Sequence, residues 1–93
     1  MHSLRLENND ELYRYLQSLS GELKQSGKIE ASDRLALASQ FAFGFPSEFL
    51  HEAMAALALV QTEYKDVLTV AQLAGVGSVI EQIKTAFQRI GGG

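Results

Sequence analysis

Apolar residues recur at intervals of three and four along most of this chain, and that spacing points to helices rather than strands. Leu12, Leu16, Leu19 and Leu23 step by four, three and four, and Tyr15 extends the same stripe. Thr69, Leu73, Val76, Ile80, Ile83, Phe87 and Ile90 keep that rhythm almost to the end. Each helical residue turns about 100°, so these steps return side chains to one face that must then be buried. The chain is therefore read as all-α.

The helix boundaries follow from capping chemistry. Asn8 with Glu11 fits a capping box, which satisfies free amides at a helix start, and Gly27 suits the left-handed residue that ends one. A second helix is expected from Glu30 or Ser32 to Phe43, with Ala31, Leu35, Ala38 and Ala42 on one face and Leu37 and Phe41 beside it. Gly44-Phe45-Pro46 stops it, because a proline disfavours helical geometry in the residue before it. Ser47 is the expected cap of a third helix, from Glu48 to about Tyr64. Its apolar residues cover most of the circumference, which suits a central position. His51, Ala55, Ala58 and Thr62 form a further face of small residues, open to the close approach of another helix.

The fourth helix is expected to run from about Asp66 to Ile90. Its apolar phase passes unbroken through Gly75-Val76-Gly77, so one helix is favoured, with any kink at Gly75 or Gly77. The competing reading breaks the chain there and restarts it with Ser78 and Glu81 as a new capping box. The architecture expected is one domain over residues 1–93, a compact antiparallel bundle of about four helices. Residues 1–8 are read as an N-terminal arm and residues 91–93 as a flexible glycine tail.

Composition excludes several kinds of chemistry. The chain has no cysteine, which removes disulfides, thiolate metal sites and cysteine nucleophiles. Its net charge is −3, and its few bases are scattered, whereas nucleic-acid binders usually cluster theirs. No Lys or Arg occurs between Leu35 and Tyr64, while Glu48, Glu52 and Glu63 lie in that stretch. This anionic segment suits a basic protein partner better than DNA. The start of the chain lacks the apolar core of a secretory signal, and no uncharged run reaches the roughly 20 residues that span a bilayer. A cytoplasmic location away from membranes is the expectation.

Several motifs invite sharper readings. Leu73-Ala74-Gly75-Val76-Gly77 resembles the hairpin of helix-hairpin-helix DNA-binding modules, whose glycine amides approach phosphate, and Ala71 with Gly75 matches a helix-turn-helix spacing. Both families place apolar residues near the positions of Glu81 and Lys84. Here the apolar residues are Ile80 and Ile83, about 100° out of phase, so DNA binding through Gly75-Val76-Gly77 is kept only as the alternative. Glu48-x-x-His51 has the spacing of a carboxylate di-iron ligand pair, but it occurs once, and a second pair would have to come from a dimer. His51-Glu52 begins like a zinc protease motif, yet Ala55 stands where the second histidine belongs. No metal or other cofactor is expected. His51 is the one plausible general base, and no nucleophile has a local relation to it, so the chain is read as no enzyme.

Phe41, Phe43, Phe45 and Phe49 cluster around Gly44 and Pro46, more aromatic surface than a short connection needs. Phe43 and Phe45, with Glu48, Glu52 and Glu63, are the candidate partner-binding residues, since exposed aromatics often anchor interfaces. The segment Pro46-Ser47-Glu48-Phe49-Leu50-His51-Glu52-Ala53-Met54-Ala55-Ala56-Leu57 resembles a recurrent helix of short, all-helical bacterial proteins with no assigned activity. In size and acidic helical character the chain is also similar to bacterial immunity proteins, which neutralise a toxin by binding it. That similarity implies an antidote-like role and transfers no site residue. The function expected is a non-enzymatic protein–protein interaction module, acting as an adaptor, an antidote or a self-associating homodimer.

Overall fold

The computed structural model describes residues 8–89, and over these the chain is a small all-α bundle. Its helices are α1 (Asn9–Gln25), α2 (Ile29–Gln40), α3 (Pro46–Glu63) and α4 (Val70–Arg89), with one turn of 3-10 helix at Phe41–Phe43. The expected arm, apart from Asn8, the glycine tail, His2 and Ile90 lie outside the described residues.

α1 begins and ends as its sequence dictates. Asn8 is the extended N-cap, and its Oδ1 accepts from the Glu11 amide at 2.9 Å. At the other end the Lys28 amide donates to the Leu23 carbonyl at 2.8 Å and the Gly27 amide to the Lys24 carbonyl at 3.0 Å. This is a Schellman motif, which needs a left-handed residue, and Gly27 supplies it with a φ of 82°. The chain reverses here, so α2 lies antiparallel on α1. Paired bonds across the interface show the register: Ser20 with Ser32, and Gln17 with Ser39.

These serines form a polar seam inside an otherwise apolar contact. The Ser20 hydroxyl donates to the Ser32 carbonyl at 2.8 Å and lies 2.9 Å from the Ser32 hydroxyl. Gln17 Nε2 donates to Ser39 Oγ at 2.7 Å, and that hydroxyl donates to the Ala36 carbonyl at 2.6 Å. Small hydroxyl side chains let the helix backbones approach, and each polar atom has a partner, so burial there leaves none unsatisfied.

The core is one cluster to which all four helices contribute. Leu16, Leu35, Phe49, Leu57, Val60 and Val76 are fully buried. α3 packs on α2 at one side and on α4 at the other, which gives it the largest share of core residues. It is not buried all round, however: His51, Ala55, Ala58 and Thr62 face solvent. Alanine explains the difference, since it reads as apolar in sequence yet loses little by exposure. Leu37, placed beside the buried face of α2, is 55% exposed.

The helix starts differ from the sequence reading in three places. α2 begins at Ile29, before Glu30 or Ser32, and its regular part ends at Gln40, with Phe41–Phe43 wound into the tighter 3-10 turn. Ser47 does not cap α3. Phe45 is the N-cap, with φ −76° and ψ 134°, and Pro46 fills the first helical position, where a missing N–H costs nothing. α4 starts at Val70 rather than near Asp66, because Thr69 and Gln72 form a reciprocal capping box. Gln72 N donates to Thr69 Oγ1 and Thr69 N to Gln72 Oε1, both at 3.0 Å. The preceding residues make a turn, with Val67 N and Leu68 N donating to the Tyr64 carbonyl.

α4 then runs without a break through Gly75 and Gly77, with Val76 wholly buried between them. The competing restart at Ser78 does not form. A Cβ on Gly77 would meet only Gln61 Nε2 of α3, at 3.6 Å, an ordinary contact.

Two glycines of the α1–α2 hairpin test this account in opposite directions. Gly21 lies exposed inside α1, with open space around a Cβ, so Gly21→Ala should stabilise the fold by about 0.5–1 kcal/mol. Gly27→Ala should destabilise it by about 1–2 kcal/mol, because alanine resists the left-handed conformation. Urea unfolding midpoints of the two variants check both signs.

Candidate functional site

The connection from α2 to α3 sorts the four phenylalanines into two pairs. The 3-10 turn closes with the Gly44 amide donating to the Phe41 carbonyl at 3.0 Å, and Pro46 forces Phe45 into an extended conformation before α3 begins. The result turns Phe49 fully inward and leaves Phe41 half-buried against the core. Phe43 and Phe45 point outward, 81% and 77% exposed. Two such rings two residues apart are a different matter from a stray surface leucine, since large exposed aromatics tend to mark contact sites.

Phe43 is held from one side. Its ring meets that of Tyr13 on α1 edge-to-face, with centroids 5.5 Å apart and an interplanar angle of 68°. This contact joins the start of α1 to the α2–α3 connection and orients the Phe43 ring without covering it. Tyr13 was not singled out from sequence; its place at the start of α1 gives no hint that the far end of α2 returns beside it.

The carboxylates fall into two groups. Glu48 lies in the first turn of α3, where the helix dipole favours a negative charge, and its Oε1 would sit 3.8 Å from a Cβ on Gly44. It therefore belongs beside the phenylalanine turn. Glu52, half-exposed, follows one helical turn later on the same side. Glu63 stands at the other end of α3, about 22 Å along the axis at 1.5 Å per residue, so it is not part of the aromatic cluster. His51 is exposed next to Glu48 and Glu52. Among the described residues no group of three or more His, Asp or Glu side chains is arranged to hold a metal ion.

Elsewhere the polar chemistry is structural. Gln72 Nε2 donates to Glu22 Oε1 at 3.0 Å, linking the start of α4 to α1, and the Tyr64 hydroxyl donates to Glu30 Oε1 at 3.4 Å, linking the end of α3 to α2. Desolvation and the Glu30 carboxylate push the Tyr64 hydroxyl above its ordinary pKa. Burial pushes Tyr15 up to about 12, with the Glu22 charge adding to it. Gly75-Val76-Gly77, the alternative phosphate-binding turn, lies in the middle of α4. Amides inside a continuous helix are bonded to carbonyls four residues back, so the hairpin that would present them to phosphate is not built. No helix of the described residues is long and apolar enough to cross a membrane.

Comparison with protein-family models, with curated proteins and with solved structures finds no match to this chain.

Tyr15 gives a pH prediction. Its folded pKa is raised, so the stability that its neutral form contributes is fully present below about pH 10 and is lost as pH rises towards about 12. Tyr15→Phe keeps the ring and removes the ionisation. The variant should therefore lose less stability than the parent across that window, read as urea midpoints at its two ends.

Proposed function

We propose that this protein is a non-enzymatic interaction module, and that it meets its protein partner at the end of the bundle where Phe43 and Phe45 protrude. The observation that carries the reading is the exposure of those two rings in a domain this small. Burying a phenylalanine is worth roughly 1.5–3 kcal/mol, and Phe41 and Phe49 in the same turn do contribute to the core. Phe43 and Phe45 forgo that gain in the free protein and would recover it in a complex.

The chemistry available supports binding over catalysis. His51 is exposed, and among the described residues it belongs to no cluster of three or more His, Asp or Glu side chains that could hold a metal ion. The interior is apolar except for the serine seam, whose hydroxyls are engaged in holding α1 to α2. Glu48 and Glu52 add a negative border to the aromatic patch, and electrostatic complementarity of that kind selects partners and speeds encounter. An adaptor or antidote role in a soluble bacterial setting is consistent with this surface.

Stability and binding should separate on mutation. Phe45→Ala removes a ring that packs little in the free protein, so unfolding should change by no more than about 0.5 kcal/mol. The same change should weaken a retained partner by about tenfold or more, as loss of an aromatic anchor does. Native mass spectrometry of parent and variant isolated from the host compares partner retention, and thermal unfolding compares stability. Equal losses in both would return Phe45 to a structural plug.

A further inference from the structure

We infer that the surface leading from Phe43 and Phe45 along the outward side of α3 seats a cationic amphipathic helix of another protein, and not a second copy of this chain. The inference rests on the binding role proposed above and specifies the partner's chemistry.

α3 presents two unlike sides. Phe49, Ala53, Leu57 and Val60 point into the core, while His51, Ala55, Ala58 and Thr62 point out, with Leu59 half-buried among them. At about 100° per residue the outward residues, together with Glu48, Glu52 and Glu63, fall within an arc of about 140°. Between Glu52 and Glu63 that strip carries only small or apolar side chains, so a second helix can lie close, near the short end of the usual range of about 8–10 Å. Phe43 and Phe45 precede α3 at the end where the strip begins, and Phe45, its N-cap, offers a large exposed apolar side chain that alanines cannot.

Charge decides what can lie there. By the same rotation Glu48, Glu52 and Glu63 share one edge of the strip, and no Lys or Arg occurs between Leu35 and Tyr64 to offset them. Two copies meeting antiparallel through α3 would set Glu48 and Glu52 of one opposite Glu63 of the other. Like charges facing across an interface work against association, so antiparallel self-pairing on this side is disfavoured. A partner helix that places Lys or Arg along one edge answers the same carboxylates. Glu52 and Glu63 are about 16 Å apart along the axis, which corresponds to cations about three turns apart on the partner. This is helix-on-helix recognition, with small residues for approach and one charged edge for register.

The probe is a capped helical peptide with an alanine–leucine face bordered by lysines, and its counterpart with glutamate in place of every lysine. Fluorescence anisotropy with the full chain should show the lysine peptide binding at least about tenfold tighter, and loosening between about 50 and 300 mM salt. Glu52→Lys with Glu63→Lys should reverse the preference between the peptides. Ala58→Gln puts a long side chain in the strip without breaking the helix, which circular dichroism verifies, and should weaken the lysine peptide about tenfold. Loss with Phe45→Ala but not with the α3 variants would confine binding to the aromatic end, overturning this inference and leaving the binding role intact. Loss with the α3 variants but not with Phe45→Ala would uphold the cationic-helix seat on α3 and remove the aromatic anchor instead. Indifference to peptide charge, or no binding of either peptide, would overturn it. So would a homodimer in sedimentation equilibrium that Ala58→Gln dissociates.

Discussion

The four helices draw most of their stability from packing their apolar faces together rather than from intrinsic propensity, so each depends on a shared core. Leu16 and Leu35 bring α1 and α2 into that core, Phe49 and Leu57 bring α3, and Val76 and Ile83 bring α4. A chain of this size buries only about two-thirds of its unfolded surface, so the core has little to spare. The caps matter for the same reason. Asn8, Gly27, Pro46 and Thr69 each fix where a helix begins or ends, and thereby which residues face inward.

That economy bears on function. The interior is filled by apolar side chains and by serine hydroxyls already committed to the α1–α2 contact, and no buried side-chain nitrogen or oxygen among the described residues is left without a partner. The features that structural economy does not explain lie on the surface: Phe43 and Phe45, outward while their neighbours Phe41 and Phe49 pack inward, and an α3 whose outer side is uncharged along its middle and acidic along one edge.

Much of the fold was legible in the residues. The leucine spacing of α1 and the apolar rhythm of α4 are direct consequences of helical rotation, and the rhythm rightly outweighed the two glycines of α4. The errors came where two local signals competed. Ser47 is a good cap, but Pro46 needs a first-turn position and moves the start of α3 back by two residues. Thr69 was read as part of the apolar stripe, whereas its hydroxyl caps α4, a role that Gln72 three residues later already signalled. Leu37 was placed beside a buried face, and α3 was expected to be apolar nearly all round, on hydropathy, which cannot show whether another helix is there to cover a given side.

The sequence by itself determined the helical class, the approximate span of each helix and the anionic stretch around α3, because periodicity, capping and charge are local properties of neighbouring residues. It also marked the phenylalanines of the α2–α3 connection as more than a turn requires. Which of those rings stay outside was decided only in three dimensions. Phe43 meets Tyr13, thirty positions away in sequence, because α1 and α2 run antiparallel and bring their opposite ends together. Glu63 was grouped with Glu48 and Glu52 by composition and is separated from the aromatic end by the length of α3. Exposure and separation depend on how elements pack, and packing is settled by contacts between residues that the sequence keeps apart.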